Sequence, residues 1–503
     1  MGDTMLRKTK QLALLALAIL CFPAALTFAQ DFHFDSTISP AVLNNYLNRS
    51  IHYTELLHSD LSLGRDKRGV DPRENIRALL NMGAKYIGRS IMIWGNEEDL
   101  NQYTPWLKNA KRMIDTMHSV DPDIIFEAAE FEIISTMVGV LDVPAAVLQA
   151  FGQPVVARKF NYQAMLYTDG KFVNQWGPNN SVPDMSRLET RMYYYFLACN
   201  YIDIGVEAFH FGQVGLMDQA DPGHVNWLDM LTKVRAYAKL HARRHMALCN
   251  AHTHPSSNLV INGKTLFDIG AFPMRIAQQG TACCKGELRV GYTDALFTKS
   301  KGGITPSGWA CKNLPWLAEF DNYGGGNPGP SSAAPFIWGY DEITFIAIQS
   351  EADRKAWLKY AWDWVAVNDT AAHLMMPGMR VLTHGPAFSP NWYWSNTKSA
   401  ACPKGFNTEA DIKEIWGTKS SRIAPRPDVI SPLNLHGNSR VAILTLSGRV
   451  LKTFTTGVGD ANLDSQEIAS LQLPDGVYFY SVMGPSGTAG TGKFMVDKGW
   501  VAK

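Results

Sequence analysis

The chain has 503 residues, 46% hydrophobic and 18% charged, which is enough apolar material for a large core and excludes a disordered protein. Lys+Arg number 47 against 46 for Asp+Glu, with no long basic run, so the charge balance gives nucleic acid or an anionic membrane surface nothing to bind. The length exceeds what one core usually serves, and two domains are expected.

The first 29 residues read as a signal peptide, which places the protein outside the cytoplasm, secreted or at the cell surface. Arg7, Lys8 and Lys10 form a positive start, Leu12 to Leu26 an apolar run, and Thr27-Phe28-Ala29 a small-residue cleavage pattern before Gln30. The apolar run is short for a bilayer span, and no later stretch is long and apolar enough to serve as one. Export permits disulfides. Cys199 and Cys249 sit in apolar contexts that suit buried free thiols, whereas Cys283, Cys284, Cys311 and Cys402 lie in loop-like sequence and are the better candidates for pairing.

From residue 31 to 417 strand-like and helix-like segments alternate. After an N-terminal arm, strands are expected at 85–94, 123–133, within 155–167, at 201–213, 246–254, 288–293, 316–322, 342–348 and 374–382. Helices are expected at 103–120, 143–151, 185–200, 227–242 and 351–367. Roughly eight βα units of this kind make an α/β fold, a TIM-like (β/α)₈ barrel with long loops. A doubly wound open sheet is disfavoured: neither a Gly-x-Gly-x-x-Gly after the first strand nor a phosphate-loop motif is present, and no cofactor is implied. The Gly-rich Tyr323–Pro330 stretch carries prolines that suit a rigid cleft rim better than a phosphate cradle.

Residues 418–434 turn to Ser, Pro, Arg and Lys, as a linker does, and 435–503 is β-patterned. Its successive motifs are Leu446-Ser-Gly-Arg-Val450, Leu473-Pro-Asp-Gly-Val-Tyr-Phe-Tyr480 and Gly492-Lys-Phe-Met-Val496. In that order they resemble the C-terminal sorting domains of the bacterial type IX secretion system, small immunoglobulin-like sandwiches. The resemblance implies outer-membrane secretion machinery as a partner, an address and not an activity.

Chemistry therefore falls to the barrel, whose catalytic groups stand at the C-terminal ends of strands. Glu207 on the fourth strand and Glu319 on the seventh resemble the placement in the large clan of barrel glycoside hydrolases, with the acid/base after strand four and the nucleophile ending strand seven. That likeness implies Glu207 as acid/base and Glu319 as nucleophile on a carbohydrate substrate. The chemistry requires a proton donor for the leaving oxygen and an ionised carboxylate for the oxocarbenium-like carbon. Glu130 and Glu132 share one side of their strand and are candidates to line the same mouth, as sugar ligands or as the true acid. His210, Gln213, Asp321, Asn322 and Tyr323 are candidate substrate ligands beside the two glutamates. Trp309, Trp338, Trp392 and Trp394 are loop-like indoles, each as well explained by packing as by a pyranose ring. Two other readings stay open. His252 and His254, two apart on a strand, point to one side and suit a shared metal; and a barrel without turnover would simply hold glycan.

Overall fold

The computed structural model describes residues 30–100, 105–252, 259–279, 285–290, 301–321, 341–382, 392–417, 440–445, 450–455, 476–484, 487–497 and 500–502. Two compact units divide at Phe32/His33, and everything below concerns the second.

Seven parallel strands lie side by side in chain order: β1 (Ser50–Tyr53), β2 (Tyr86–Met92), β3 (Ile125–Ala129), β4 (Ala208–His210), β5 (Leu248–Ala251), β6 (Ile269–Pro273) and β7 (Trp316–Glu319). β8 (Ala372–Leu374) continues this parallel order beside β7, with Trp316 opposite Ala372. One residue later the same run becomes β9 (Met376–Val381), parallel to β1, with Ile51 opposite Met376. Residues 372–381 thus pair with both ends of the row, and the sheet curls on itself in the TIM-like manner. β10 (Trp392–Trp394) adds antiparallel to β9. The strands are buried on both faces, as parallel strands beneath helices must be.

The helices start and stop where their sequences say. α1 (Pro40–Leu47) is capped by the Ser39 hydroxyl. α2 (Pro72–Met82) begins with Asp71 accepting from the Arg73 amide and ends on Gly83 at φ +77°, a left-handed turn that costs glycine little. α3 (Pro105–Val120) turns Ala110, Met113, Ile114 and Met117 inward. After α4 (Ala145–Ala150) comes α5 (Leu188–Asp203), buried almost all round through Tyr193, Tyr194 and Phe196. The short α6 (Val214–Met217) precedes α7 (Val225–His241), followed by α8 (Glu342–Ile348), α9 (Glu351–Asn368) and α10 (Glu409–Gly417).

Several expected elements change. β1 and β6 were hidden. β1 has only four residues, two of them polar Ser50 and His52, and β6 (Ile-Gly-Ala-Phe-Pro) carries Gly and Pro that read as a turn. The strand expected within 155–167 is loop and one 3₁₀ turn, Tyr162–Met165, with Val155 and Val156 exposed. Among the described residues Gly286–Leu288 pairs with Ile276–Gln278 in a separate two-stranded ribbon and not with the curled sheet. Residues 342–348, β-branched in composition, form α8: the Asp341 carboxylate caps Thr344, and nearly complete burial removes any amphipathic signature. Among the described residues Cys199, Cys249, Cys311 and Cys402 form no disulfide with one another, so Cys311 and Cys402 do not pair as the sequence allows; Cys283 and Cys284 lie outside the described residues.

Toward the C-terminus β11 (Arg440–Thr445), β12 (Val450–Thr455), β13 (Gly476–Gly484), β14 (Gly487–Asp497) and β15 (Trp500–Ala502) form one antiparallel sheet in the order β12-β11-β13-β14-β15. The β pattern there is real, and the expected linker lies outside the described residues.

Candidate active site

Because the strands are parallel, their C-terminal ends share one mouth. Glu319 is the last residue of β7, and its carboxylate pairs with the Arg89 guanidinium of β2. Both are nearly fully buried, at 1% and 4% side-chain exposure. The His252 Nε2, just past β5, stands 3.8 Å from the Glu319 Oε2 and 3.5 Å from the Arg89 Nη2. The His210 Nε2, ending β4, is 3.4 Å from the same Nη2. On the other side of the mouth Arg380 of β9 bridges His52 of β1 and Asp321, at 2.8 Å to each.

A second layer holds the first. β2 carries two extra residues between Ile87 and Ile91 relative to β3, and Arg89 sits at φ +52° in this bulge. Its amide then donates to the Glu127 Oε2 at 3.0 Å while its side chain reaches Glu319. The Glu127 Oε1 accepts from the Tyr86 hydroxyl at 2.5 Å and from the Asn250 amide. With its NH₂ committed to a carboxylate, Asn250 presents Oδ1 to His210, which must donate from Nδ1 at 2.5 Å. The His210 Nε2 is then a lone-pair acceptor facing Arg89.

The electrostatics follow from these contacts. Burial would raise the Glu319 carboxyl, but the Arg89 charge and the His252 imidazole hold it well below its ordinary value, so it is ionised. Burial, with Arg89 second, drives His210 far down, and burial, with Arg380 second, does the same to His52; both are neutral. Burial pushes Glu127 up to about 7, with the Glu319 charge contributing. Asp321 is kept ionised against burial by Arg380.

Glu207 is not part of this group. It precedes the first residue of β4, at the N-terminal end of the strands, and its carboxylate, 1% exposed, is clamped by Arg243 at 2.9 Å and Arg244 at 2.8 and 2.6 Å. Those arginines also bind the Pro122 carbonyl, just before β3, and the Tyr46 hydroxyl of α1, just before β1. The proposed partnership of Glu207 with Glu319 is thereby corrected: parallel strands put the two at opposite ends.

The other candidates sort as follows. His210 and Asp321 join the mouth. Glu132 binds the Gln213 amide and side chain, each at 2.8 Å, and Gln213 is exposed. Glu130 is buried behind Phe131 with no hydrogen-bond partner for either carboxylate oxygen among the described residues; it faces a small cavity shared with Glu97, Tyr193, Tyr194 and Tyr201. Trp309 donates to the Ile38 carbonyl, in the segment leading to α1, and is half-buried there. Trp394 is buried, and Trp392 is covered by Arg68. Asn322, Tyr323, Trp338 and His254 lie outside the described residues. Among the described residues no group of three or more His, Cys, Asp or Glu is arranged around a metal position, and His252 faces Arg89 and Glu319.

Sequence reading overlooked Arg89, Glu127, Asn250, His52 and Arg380. Each is a polar residue in the middle of an apolar run, as in Tyr-Ile-Gly-Arg-Ser-Ile-Met, and that interruption was the available signal. It also overlooked Trp94, two residues past β2 and 41% exposed, whose ring meets Phe131 at 5.4 Å and Trp176 at 5.5 Å. Phe131 in turn lies under Arg89 and against His210, so the aromatic patch adjoins the Glu319 cluster.

The chain matches no protein-family model and no curated protein. Solved structures similar to it include glycoside hydrolases. A cyclic α-maltosyl-(1→6)-maltose hydrolase from Arthrobacter globiformis, in complex with maltose, is 10% identical over 90% of this chain and 100% of that one, at TM-score 0.42. A GH27 β-L-arabinopyranosidase from Geobacillus stearothermophilus is 13% identical over 45% of this chain and 54% of its own, at TM-score 0.27. A trehalose-6-phosphate hydrolase from Bacillus licheniformis is 8% identical over 45% and 49%, also at TM-score 0.27. The chain thus spans about half the length of the latter two, and likeness at this level assigns no residue roles.

Proposed function

We propose that the protein is a glycoside hydrolase whose active site is the C-terminal mouth of the curled sheet, with Glu319 as the carboxylate that meets the anomeric carbon. The observation that carries this is the buried, ionised Glu319 at the end of a parallel strand, contiguous through Arg89 and Phe131 with the exposed Trp94. An ionised carboxylate stabilises or attacks an oxocarbenium-like centre, and a flat indole beside it stacks on a pyranose face. Asp321 and Gln213 supply further hydrogen-bonding groups for sugar hydroxyls. The residue 31–417 segment is the catalytic domain, and the C-terminal β region is a sorting domain read by outer-membrane secretion machinery after export through the N-terminal signal, which makes the enzyme secreted or surface-held.

The test is hydrolysis of a glycan panel with product stereochemistry followed by NMR. Turnover by the parent and its loss in Glu319→Gln with glycan affinity retained is the expected result; unchanged turnover in that variant overturns the assignment. A second reading, a barrel that binds glycan without cleaving it, is favoured by the Arg89 pairing, which occupies the carboxylate. It predicts glycan binding by the parent with no product from any panel member.

A further inference from the structure

With Glu207 at the far end of the strands and Glu132 tied to the Gln213 amide and side chain, no second carboxyl among the described residues beside Glu319 is placed to give the proton that glycoside cleavage requires. We infer that His252 is the general acid/base of this site, working opposite Glu319 in place of a second carboxylate; the inference rests on the glycosidase reading above.

The neighbours of Glu319 leave it that role. Arg89 is permanently charged and cannot exchange a proton. His210 is fully buried, and its Nδ1 proton is committed to Asn250, itself fixed by Glu127 and Tyr86. His52 is likewise fully buried, with its Nε2 on Arg380. Glu127 lies a layer deeper, with both oxygens occupied. Asp321 is held by Arg380 at 2.8 Å. His252 differs in three respects. Its side chain is 17% exposed, so it can trade protons with solvent and touch a substrate. Its ring nitrogen is 3.8 Å from the Glu319 oxygen, so donor and nucleophile meet at one point of the mouth, and an entering sugar parts them toward the about 5 to 5.5 Å that a retaining displacement needs. Its backbone amide, bonded to the Gly212 carbonyl at 2.8 Å, pins it at the end of β5, while its ring packs edge-on against His210 at 4.9 Å.

The step balances without any further reagent. A Glu319 oxygen bonds to the anomeric carbon as the glycosidic C–O bond breaks, and the departing oxygen takes the proton from a ring nitrogen of His252. Water then adds to the anomeric carbon, returning one proton to His252 and releasing the Glu319 carboxylate.

The experiment uses nitrophenyl glycopyranosides, whose leaving group needs no proton, beside alkyl glycosides of the same sugars, which do need one. His252→Ala is expected to lose about 10²- to 10⁴-fold in kcat/KM on the alkyl glycoside while staying within about tenfold of the parent on the nitrophenyl one. Added azide should speed the variant on the nitrophenyl substrate and yield a glycosyl azide. Equal losses on both substrates, or no loss on either, overturn the role of His252 and leave the glycosidase reading standing. His252→Gln, which preserves size and polarity, must give the same contrast. A parent that turns over no member of either series sinks both proposals.

Discussion

Replacing Glu207 by glutamine separates a structural carboxylate from a catalytic one. The parent side chain makes three charge-assisted bonds to Arg243 and Arg244 from a 1% exposed position. Glutamine keeps one acceptor but turns an NH₂ toward guanidinium donors. Breaking a buried ion pair costs about 3–5 kcal/mol, but Arg243 is 34% exposed and can rehydrate, so we expect a loss of about 2–3 kcal/mol after solvent screening. At roughly 2 °C per kcal/mol for a chain of this size, the melting temperature should fall by about 5 °C. Burial would raise the Glu207 carboxyl, but Arg244 and Arg243 hold it below its ordinary value. Its contribution is therefore present above the unfolded carboxylate range and lost as pH falls through the folded value. Thermal scans across acidic and neutral pH should accordingly show parent and variant converging at the acid end. Glycan turnover measured well below the melting temperature should match the parent. An unchanged melting temperature with turnover abolished would refute the reasoning and restore Glu207 to the chemistry.

Glu130→Gln should act in the opposite direction. Burial alone lifts the Glu130 carboxyl well above its ordinary value, so its stabilisation is complete below the unfolded value and erodes as pH rises toward the folded one; the variant should match the parent near pH 4 and melt higher at neutral pH. A variant that melts lower at neutral pH would show that the carboxylate has a partner. Gly88→Ala would bring a Cβ to 2.6 Å from the Met375 Cε and 3.2 Å from the Glu127 Oε2; the flexible Met375 end relieves most of the crowding, so a loss of about 1 kcal/mol is expected, measurable by urea denaturation. Trp94→Ala should raise KM for oligosaccharides by about tenfold, as expected for a lost stacking platform, and leave kcat nearly unchanged; steady-state kinetics decide it, and a fall in kcat at constant KM would contradict the platform.

Much of the architecture was legible because helix periodicity and caps are local. The segments forming α3, α7 and α9 declare themselves through apolar spacing, and 351–367 was placed within a residue of Glu351–Asn368. The strand numbers of Glu207 and Glu319 agree with the structure by compensation: the sequence shows no β1, its pattern suggests a third strand where 155–167 is loop, and 288–293 takes the place of β6 in the count. The count then agreed while the end of the strand did not. The expected acid/base role puts Glu207 at the C-terminal end of its strand, but the strand begins at Ala208, and the residue before a strand belongs to the opposite rim.

From sequence alone came the α/β class, the alternation that builds a curled parallel sheet, the β character of the C-terminal region, and Glu319 as a carboxylate closing a strand. Only the tertiary structure decided which charges meet. Arg89, Glu127, Asn250, His210, His252 and Glu319 come from five different strands and the loop beyond one of them, and nothing local records that a bulge at Gly88–Ser90 turns one arginine toward a glutamate 230 positions away. Burial then gives such contacts their strength, because a charge removed from water takes its energy from the few groups packed against it.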